Sequence, residues 1–570
     1  MAKIEKQEIR DAYQTLQKYK SGKKSLEDKI VNEEKFWKGR HWDAVQRKDG
    51  QTTAPTSAWM FNSIVNKHAD AMDSYPEAIC LPREASDEKN AKILTSVIPV
   101  TLERNDFEKT YSDNWWYKLK HGTCATGVFW DSSANDGKGD VAIKKIDLLN
   151  LIWEPGITDI QKSRNLFILD LVSVDILKER YPKLDIKGGE TADLKQYVFD
   201  DAIDTSDKAL VIDWYYKKEG KLHYCKFCEE NILFASENEK GYENGWYEDG
   251  EYPVAIDVLY PEEGTIYGFG IISITKDPQL YIDKLDESFM NHSHIASKPR
   301  YFSSDGAGVN EQEFLDLSKP IVHVSGNVDE NRLKPIQVYN IPGYMMNFRQ
   351  AKIDELKETS SNRDFSQGST SGGVTSGAAI AVLQEAGNKT SRDMINASYR
   401  TFEKIVHMMI ERFRQFYTHE HTFRITGETG ANDFVAFDNS GLVPQPIATV
   451  GEEELFRKPI FDIDVRAQKQ NPFSTLAQNE TAMNLFNSGL LAPENAQVAM
   501  IVLDMMTFEG KEEVIRYVKE GQTLQNQLMQ MQQQNQQLMQ QLAMMQGAGT
   551  IPQSAPQTAP FTQGSLPTMM

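Results

Sequence analysis

Between Ile395 and Phe416 seven apolar residues recur at intervals of four and three without a break: Ile395, Tyr399, Phe402, Val406, Met409, Phe413 and Phe416. An α-helix turns once in about 3.6 residues, so this spacing lays all seven along one face. Residues 377–418 therefore read as one long helix. A seam of this length exceeds what a compact domain core needs. It predicts packing against neighbouring helices, with Phe402, Val406, Met409 and Phe413 as the candidate oligomer seam.

The rest of the chain sorts by period around that helix. Residues 1–35 read as one or two helices, and "FWKGRHW" (36–42) as an aromatic cluster that pins them. Residues 57–75 and 87–120 carry helical alternation. "HGTCATGVFWD" (121–131) changes to strand character. A turn at Gly137–Gly139 and a period-two run follow, and 209–217 with 221–235 read as a hairpin or meander. The block from 120 to 260 is thus β-rich α+β. Asp277 and Pro278 suit a helix start, as N-cap and first helical position, with the helix reaching about Ser297. Short strands such as "PIVHV" and "PIQVY" are expected within 299–338, and Pro342 opens a second helix that could lie antiparallel to the first. "FDIDVRA" (461–467) alternates like a strand. Asn471, Pro472, Gly489 and Pro493 punctuate further helices. Leu524, Leu528, Met531, Asn535, Leu538, Leu542 and Met545 repeat the four-three spacing, either as a coiled coil with Asn535 fixing register or as a Gln-rich low-complexity helix. Residues 547–570 read as a disordered tail.

No motif argues for catalysis or for a cofactor. The tract "SQGSTSGGVTSGAAIAVLQEAGNKTSRD" (366–393) has glycine spacing like a phosphate-binding loop, but Ala378 and Ala379 stand where Lys and Ser or Thr are required. Cys225 and Cys228 form a lone C-x-x-C without a second ligand pair, so no metal site is expected. "HSH" (292–294) and "HEH" (419–421) lack the spacing of a zinc helix and read as solvated helix ends. Asp462 and Asp464 share one strand face; a wet face explains them better than a carboxylate pair for hydrolysis. Four cysteines in 570 residues fit a reducing compartment. The N-terminus lacks a signal-peptide core, and no apolar run approaches the roughly 18 residues of a membrane span.

Taken in order, several stretches resemble the portal proteins of tailed bacteriophages, the short-tailed type in particular. They are "FWKGRHW", "KHGTCATGVFWD", "IDLLNLIWEPGITDIQ", "YEDGEYPVAIDVLYPEEGTIYGFGIISITKDPQLYIDKL", "ASKPRYF", "LKETSSNRDFSQGSTSGGVTSGAAIAVLQEA" and "QKQNPFSTLAQNETAMNLFNSGLLAP". The resemblance spans about Phe36 to Val518 and implies a multidomain α+β fold that assembles as a ring, typically of twelve subunits. It implies N-terminal helices (1–35), a wing (36–264) and a first stem helix (265–298). A clip (299–338), a second stem helix (339–363) and a tunnel loop (364–377) follow. Next come a long channel helix directed to the crown (378–420), wing return strands (421–470), crown helices (471–509) and a C-terminal helix (510–546). That last segment is too short for a long C-terminal barrel.

The resemblance further implies double-stranded DNA passing through the ring. Implied partners are the terminase large subunit, a tail adaptor or head-completion protein, and capsid and scaffold proteins. No membrane is involved. The location would be the virion, and the host cytoplasm during assembly. Clip candidates facing terminase and adaptors are Asp305, Asn310, Glu311, Glu313 and Asp316. Channel-loop candidates are Gln367, Gly368, Ser369, Thr370, Ser371, Gly372, Gly373, Val374, Thr375 and Ser376. Short neutral side chains suit such a loop, because cationic wells at each phosphate would stop DNA from sliding. The net charge of -20 repels DNA from most of the surface. Two other readings stay open: a different head–tail joining or tail component, and a hydrolase using Asp462 and Asp464.

Overall fold

Residues near the N-terminus form a single helix, α1 (Lys6–Trp37), in which Glu8 accepts from the Glu5 amide at 2.8 Å. The structure, a computed structural model, describes residues 3–44, 54–184, 186, 207–297, 300–303, 308–316, 318, 320–325, 333–338, 340–360, 389–426, 432–450, 453–467, 484, 500 and 511–546. Met1–Lys469 and Gln470–Met570 are separate units. On α1 the residues Ile9, Ala12, Leu16, Leu26 and Ile30 are buried, as helical periodicity requires of one dry face. Helix α2 (Trp59–Met72), strand β1 (Pro76–Pro82), α3 (Glu88–Arg104) and α4 (Phe107–His121) follow.

Past α4 the period changes to two. The strands are β2 (Thr123–Asp131), β3 (Asp140–Ile146), β4 (Leu151–Trp153) and β5 (Asn165–Ser173). After the short helix α5 (Val174–Arg180) come β6 (Lys208–Lys218), β7 (Lys221–Cys228), β8 (Asn231–Ala235) and β9 (Val254–Val258). Strands β4 to β8 make an antiparallel meander, the expected arrangement for 209–235, while β3, β2 and β9 form a second sheet in that order. Between β6 and β7, Glu219 and Gly220 both have positive φ, 53° and 76°. That is the backbone of a two-residue type I′ turn, which glycine adopts without strain. Helix α1 lies over the meander: Ile9, Ala12 and Leu16 cluster with Phe167, Leu169 and Phe227, and Leu26 and Ile30 with Leu151 and Tyr215. Lys23 is buried in the same face. Its ammonium donates to the carbonyls of Leu148 and Leu151, and burial brings its pKa down to about 7.

The strand pair β10 (Tyr260–Pro261) and β11 (Gly268–Phe269) leads into α6 (Ile271–Ser297). The helix begins at Ile271, ahead of the Asp277–Pro278 start read from the sequence. Pro278 removes one ladder hydrogen bond. Ile271, Ile272, Thr275 and Gln279 are nonetheless buried, and the apolar first turn outweighs that loss. Next come β12 (Tyr301–Ser303), α7 (Glu311–Leu315), β13 (Leu333–Pro335) and α8 (Gly343–Thr359), with β12 paired to β13. Of the expected strands "PIVHV" and "PIQVY", strand pairing includes Val324, in an isolated bridge to Val309, and Pro335. Helix α8 is antiparallel to α6. Ile282 clusters with Ile353 and Leu356, while Asp286, farther along α6, pairs with Arg349, farther back along α8.

Helix α9 (Lys389–Phe416) is followed by β14 (His421–Thr426), β15 (Asn432–Phe437), β16 (Gln445–Val450), β17 (Glu453–Arg457) and β18 (Phe461–Ala467). Strand β18 is antiparallel to β1 throughout, from Pro76↔Ala467 to Pro82↔Phe461, so late residues complete an early element. In the second unit, α10 (Lys511–Gln546) is one helix carrying the Leu524-to-Met545 spacing, with Leu528, Met531 and Leu538 exposed. Asn471, Pro472, Gly489, Pro493 and residues 547–570 lie outside the described residues. The fold is mixed helix and sheet, in line with the α+β expectation.

Candidate functional site

The four-three seam of α9 closes inside the chain. Phe402, Val406, Met409 and Phe413 are each at most 2% exposed and belong to one core with α2, α3, α4, β1 and β18. The Phe402 ring lies 5.6 Å from Phe107, and Phe413 lies 5.7 Å from Phe437. The oligomer seam assigned to these four residues is therefore corrected: α4 and the returning strands already occupy the face that a neighbouring helix would need. Sequence spacing shows that a helix has a dry face, not which chain covers it.

The channel-loop candidates Gln367, Gly368, Ser369, Thr370, Ser371, Gly372, Gly373, Val374, Thr375 and Ser376 lie outside the described residues, as does Asp305. The described ends that flank the tract are Ser360, capping α8, and Ser391, in the first turn of α9. Both are buried. Of the clip candidates, Asn310 caps α7 by accepting from the Glu313 amide, and Glu313 accepts from the His323 amide at 2.9 Å. Asp316 accepts from the Ser318 amide and hydroxyl, which lower its pKa. Glu311 is exposed. Asn310 and Glu313 thus hold a small module together, while Asp316 closes a local turn with Ser318.

That module belongs to a long excursion with little interior. Between Glu287 and Ile353 no described residue is buried. Met290, Ile295, Phe302, Leu315, Ile321 and Tyr344 are all exposed, Leu315 by 78% and Tyr344 by 70%. At its root the excursion is tied down well. Asp283, fully buried on α6, accepts from the amide and hydroxyl of Ser57 at 3.0 Å and from Gln279 at 3.1 Å. His41 Nδ1 lies 2.5 Å from its second oxygen, and His41 Nε2 lies 3.1 Å from the Phe36 carbonyl. The aromatic cluster of "FWKGRHW" is present, with Phe36 stacked on His41 at 5.1 Å and Trp37 on Phe61 at 4.9 Å. The sequence reading missed the Asp283 contacts. Their signal was Gln279 and Asp283, four apart, on a face otherwise lined by Ile271, Thr275 and Ile282.

A second polar junction joins α1, α4 and α6. His121 Nδ1 lies 3.1 Å from Glu33, Lys120 donates to Glu34 at 2.6 Å, and the Ser273 hydroxyl donates to Glu33. Burial alone would raise the Glu34 carboxyl, but the His121 hydrogen bond and the Lys120 charge outweigh it and bring it from 4.5 to about 2. A folded value below the unfolded one stabilises the fold above about pH 4.5, and that stability is lost as pH falls through about 2. Glu34→Gln is expected to lower stability at neutral pH. It should also flatten the acid unfolding curve across that interval, read by near-ultraviolet circular dichroism.

The carboxylates Asp462 and Asp464 reach solvent from β18, whose other face is in the core, and are already paired. Arg83 donates to Asp462 at 2.7 Å and lowers its pKa, and Arg466 lies 2.8 Å from Asp464. Changing both to Asn is expected to leave assembly and thermal unfolding unchanged, measured by light scattering and calorimetry. Cys225 and Cys228 are buried in different clusters, as positions three apart on a strand require. His421, read as a solvated helix end, is instead buried and stacked on Tyr417 at 4.2 Å, because β14 begins there. Among the described residues no group of three or more His, Cys, Asp or Glu could hold a metal ion. No helix among them is long and apolar enough to cross a membrane.

Compared with family models, the chain matches the one described as "Phage P22-like portal protein" over residues 21–254 and 217–558. No curated protein matches it.

Proposed function

The chain belongs to the phage P22-like portal protein family, and from that membership we propose that it forms a ring at one capsid vertex through which DNA is packaged and later ejected. Membership makes it a virion component that assembles as an oligomer in the phage head. The ring, its twelve-fold symmetry and its channel are our reading. One observation carries it: between Glu287 and Ile353 no described residue is buried, yet Met290, Ile295, Phe302, Leu315, Ile321 and Tyr344 are presented to solvent. Large apolar side chains exposed along one segment that has no interior of its own suit an assembly surface. Neighbouring copies around a ring would cover it.

In this reading α6 and α8 are the stem and residues 299–338 the clip, which meets terminase during packaging and a tail adaptor afterwards. Residues 36–264 and 421–470 form the wing, and the second unit carries crown and C-terminal helices. Residues Gln367 to Ser376 face the DNA with small neutral side chains, whose hydrogen bonds to phosphate are weak and exchangeable. A twelve-fold ring is out of step with the roughly 10–10.5 base pairs of a duplex turn, so contacts form at different times and the sliding landscape is smooth. The chain contributes no catalysis; a separate motor supplies the work.

Electron microscopy of negatively stained, purified protein tests the proposal. Rings with a central hole are expected. Monomers or open filaments at every concentration and salt tried would overturn it. Leu315→Glu combined with Ile321→Glu is expected to cut the yield of rings at least tenfold while leaving the unfolding of the wing in place.

A further inference from the structure

Two chain ends that flank the tract are fastened to a single stripe of α2. Ser63, Lys67 and Asp70 follow each other at intervals of four and three, so they share one face of that helix. Ser63 and Lys67 are 1% and 6% exposed. At the end of α8, the Ser360 hydroxyl lies 2.9 Å from that of Ser63. At the start of α9, the Ser391 hydroxyl accepts from the Lys67 ammonium at 2.7 Å and donates to Asp70 at 2.7 Å. Ser360 and Ser391 are each 5% exposed, so their bonds to the buried Ser63 and Lys67 are largely shielded from water, while Asp70 stands at the half-exposed edge. Apolar contacts support both fastenings. Trp59 packs on the cluster of Ile282, Ile353 and Leu356, and Met394 joins the core that contains Met60 and Ile64.

We infer that Ser63, Lys67 and Asp70 are positioning residues that hold the end of α8 and the start of α9 at one place, so that the two ends move together with α2. Ser63 and Lys67 occupy successive turns joined by the helix's own hydrogen-bond ladder. A shift of either end therefore acts on the turn that holds the other. Burial makes the lysine decisive. An ammonium that loses its hydroxyl and carboxylate partners inside the fold must either find water or move the helix. This inference rests on the portal reading only for its consequence, that a stem helix and the channel helix are linked beside the loop. The linkage stands on described residues.

Hydrogen exchange by mass spectrometry on the full-length assembled protein tests it. Ser391→Ala is expected to speed exchange about tenfold in the first turns of α9 and also in the last turn of α8. Ser360→Ala is expected to do the same in reverse. Ser391→Thr, which keeps the hydroxyl, should restore protection at both ends. Lys67→Met should loosen both ends together. Should that variant unfold globally, the Ser391→Ala and Ser391→Thr pair still decides. Faster exchange confined to the mutated end, or no change at either end, would overturn the inference. Linked ends in a protein that forms no rings would sink the portal reading alone, and rings with unlinked ends would sink only this one.

Discussion

Asp257→Ala is expected to destabilise the chain by about 3–5 kcal/mol, because it strands a buried cation. Lys118 on α4 is 1% exposed and donates to both oxygens of Asp257 on β9 at 2.8 Å, and to the Ser398 hydroxyl on α9 at 2.7 Å. Ser398 in turn donates to Asp257 at 2.6 Å. Three elements distant in sequence are joined at one point in the core. Without the carboxylate, the ammonium keeps a hydroxyl and the face of Trp115, 4.6 Å away. Neither supplies a counter-charge. Urea unfolding followed by tryptophan fluorescence measures the loss. Removing both charges at once, with Lys118→Met and Asp257→Leu, should recover most of it. A double variant as unstable as the single one would show that hydrogen-bond geometry, not the stranded charge, sets the cost.

Gly122→Val should be comparably severe for a steric reason. Gly122 ends α4 with φ of +85°, and a Cβ built there would sit 2.2 Å from the Phe269 carbonyl carbon. Left-handed backbone costs an L-residue about 1–2 kcal/mol, and an overpacked contact adds about 1–3 kcal/mol. The obstacle is backbone, which no rotamer change relieves. The head of α6 suffers with it, since Gly270 approaches the Lys120 carbonyl as closely from the other side, 2.4 Å for its own notional Cβ. Soluble yield and melting temperature are the readouts: the variant is expected to accumulate as aggregate, with Gly122→Ala intermediate. A soluble Gly122→Val protein with an unchanged melting temperature would contradict the close packing described.

Local structure was legible where a single period governed it. The dry face of α1, the meander around Glu219–Gly220 and the helix opened after Pro342 all follow from patterns within one short window. Two kinds of feature were not. Where burial competes with a local signal, burial wins: α6 starts at Ile271 despite Pro278, and His421 is inside despite its polar neighbours. Where partners are far apart in sequence, no window contains them. Phe402 meets Phe107 on α4, nearly three hundred residues upstream, Phe413 meets Phe437 on the returning β15, and Asp257 meets Lys118 and Ser398. Of the candidate site, Asn310 and Glu313 are engaged with each other and with His323, and Asp316 with Ser318, bonds that no spacing in the sequence announces. The polar contacts of α2 with Ser360 and Ser391 carry no sequence motif, because serine and lysine are ordinary on a helix until something buries them.

Helix α6 is built in at one end only. Up to Asp283 it is gripped by Ser57, His41 and buried apolar neighbours, whereas beyond Glu287 no described residue of it is buried. A beam supported in this way carries its largest bending moment at the wall, however the load is applied to the tip. The compliance of the far end is therefore set largely at the hydrogen bonds around Asp283 and the nearby contacts of Ile282 and Asp286 with α8, and a substitution there would soften the tip without altering any residue on it.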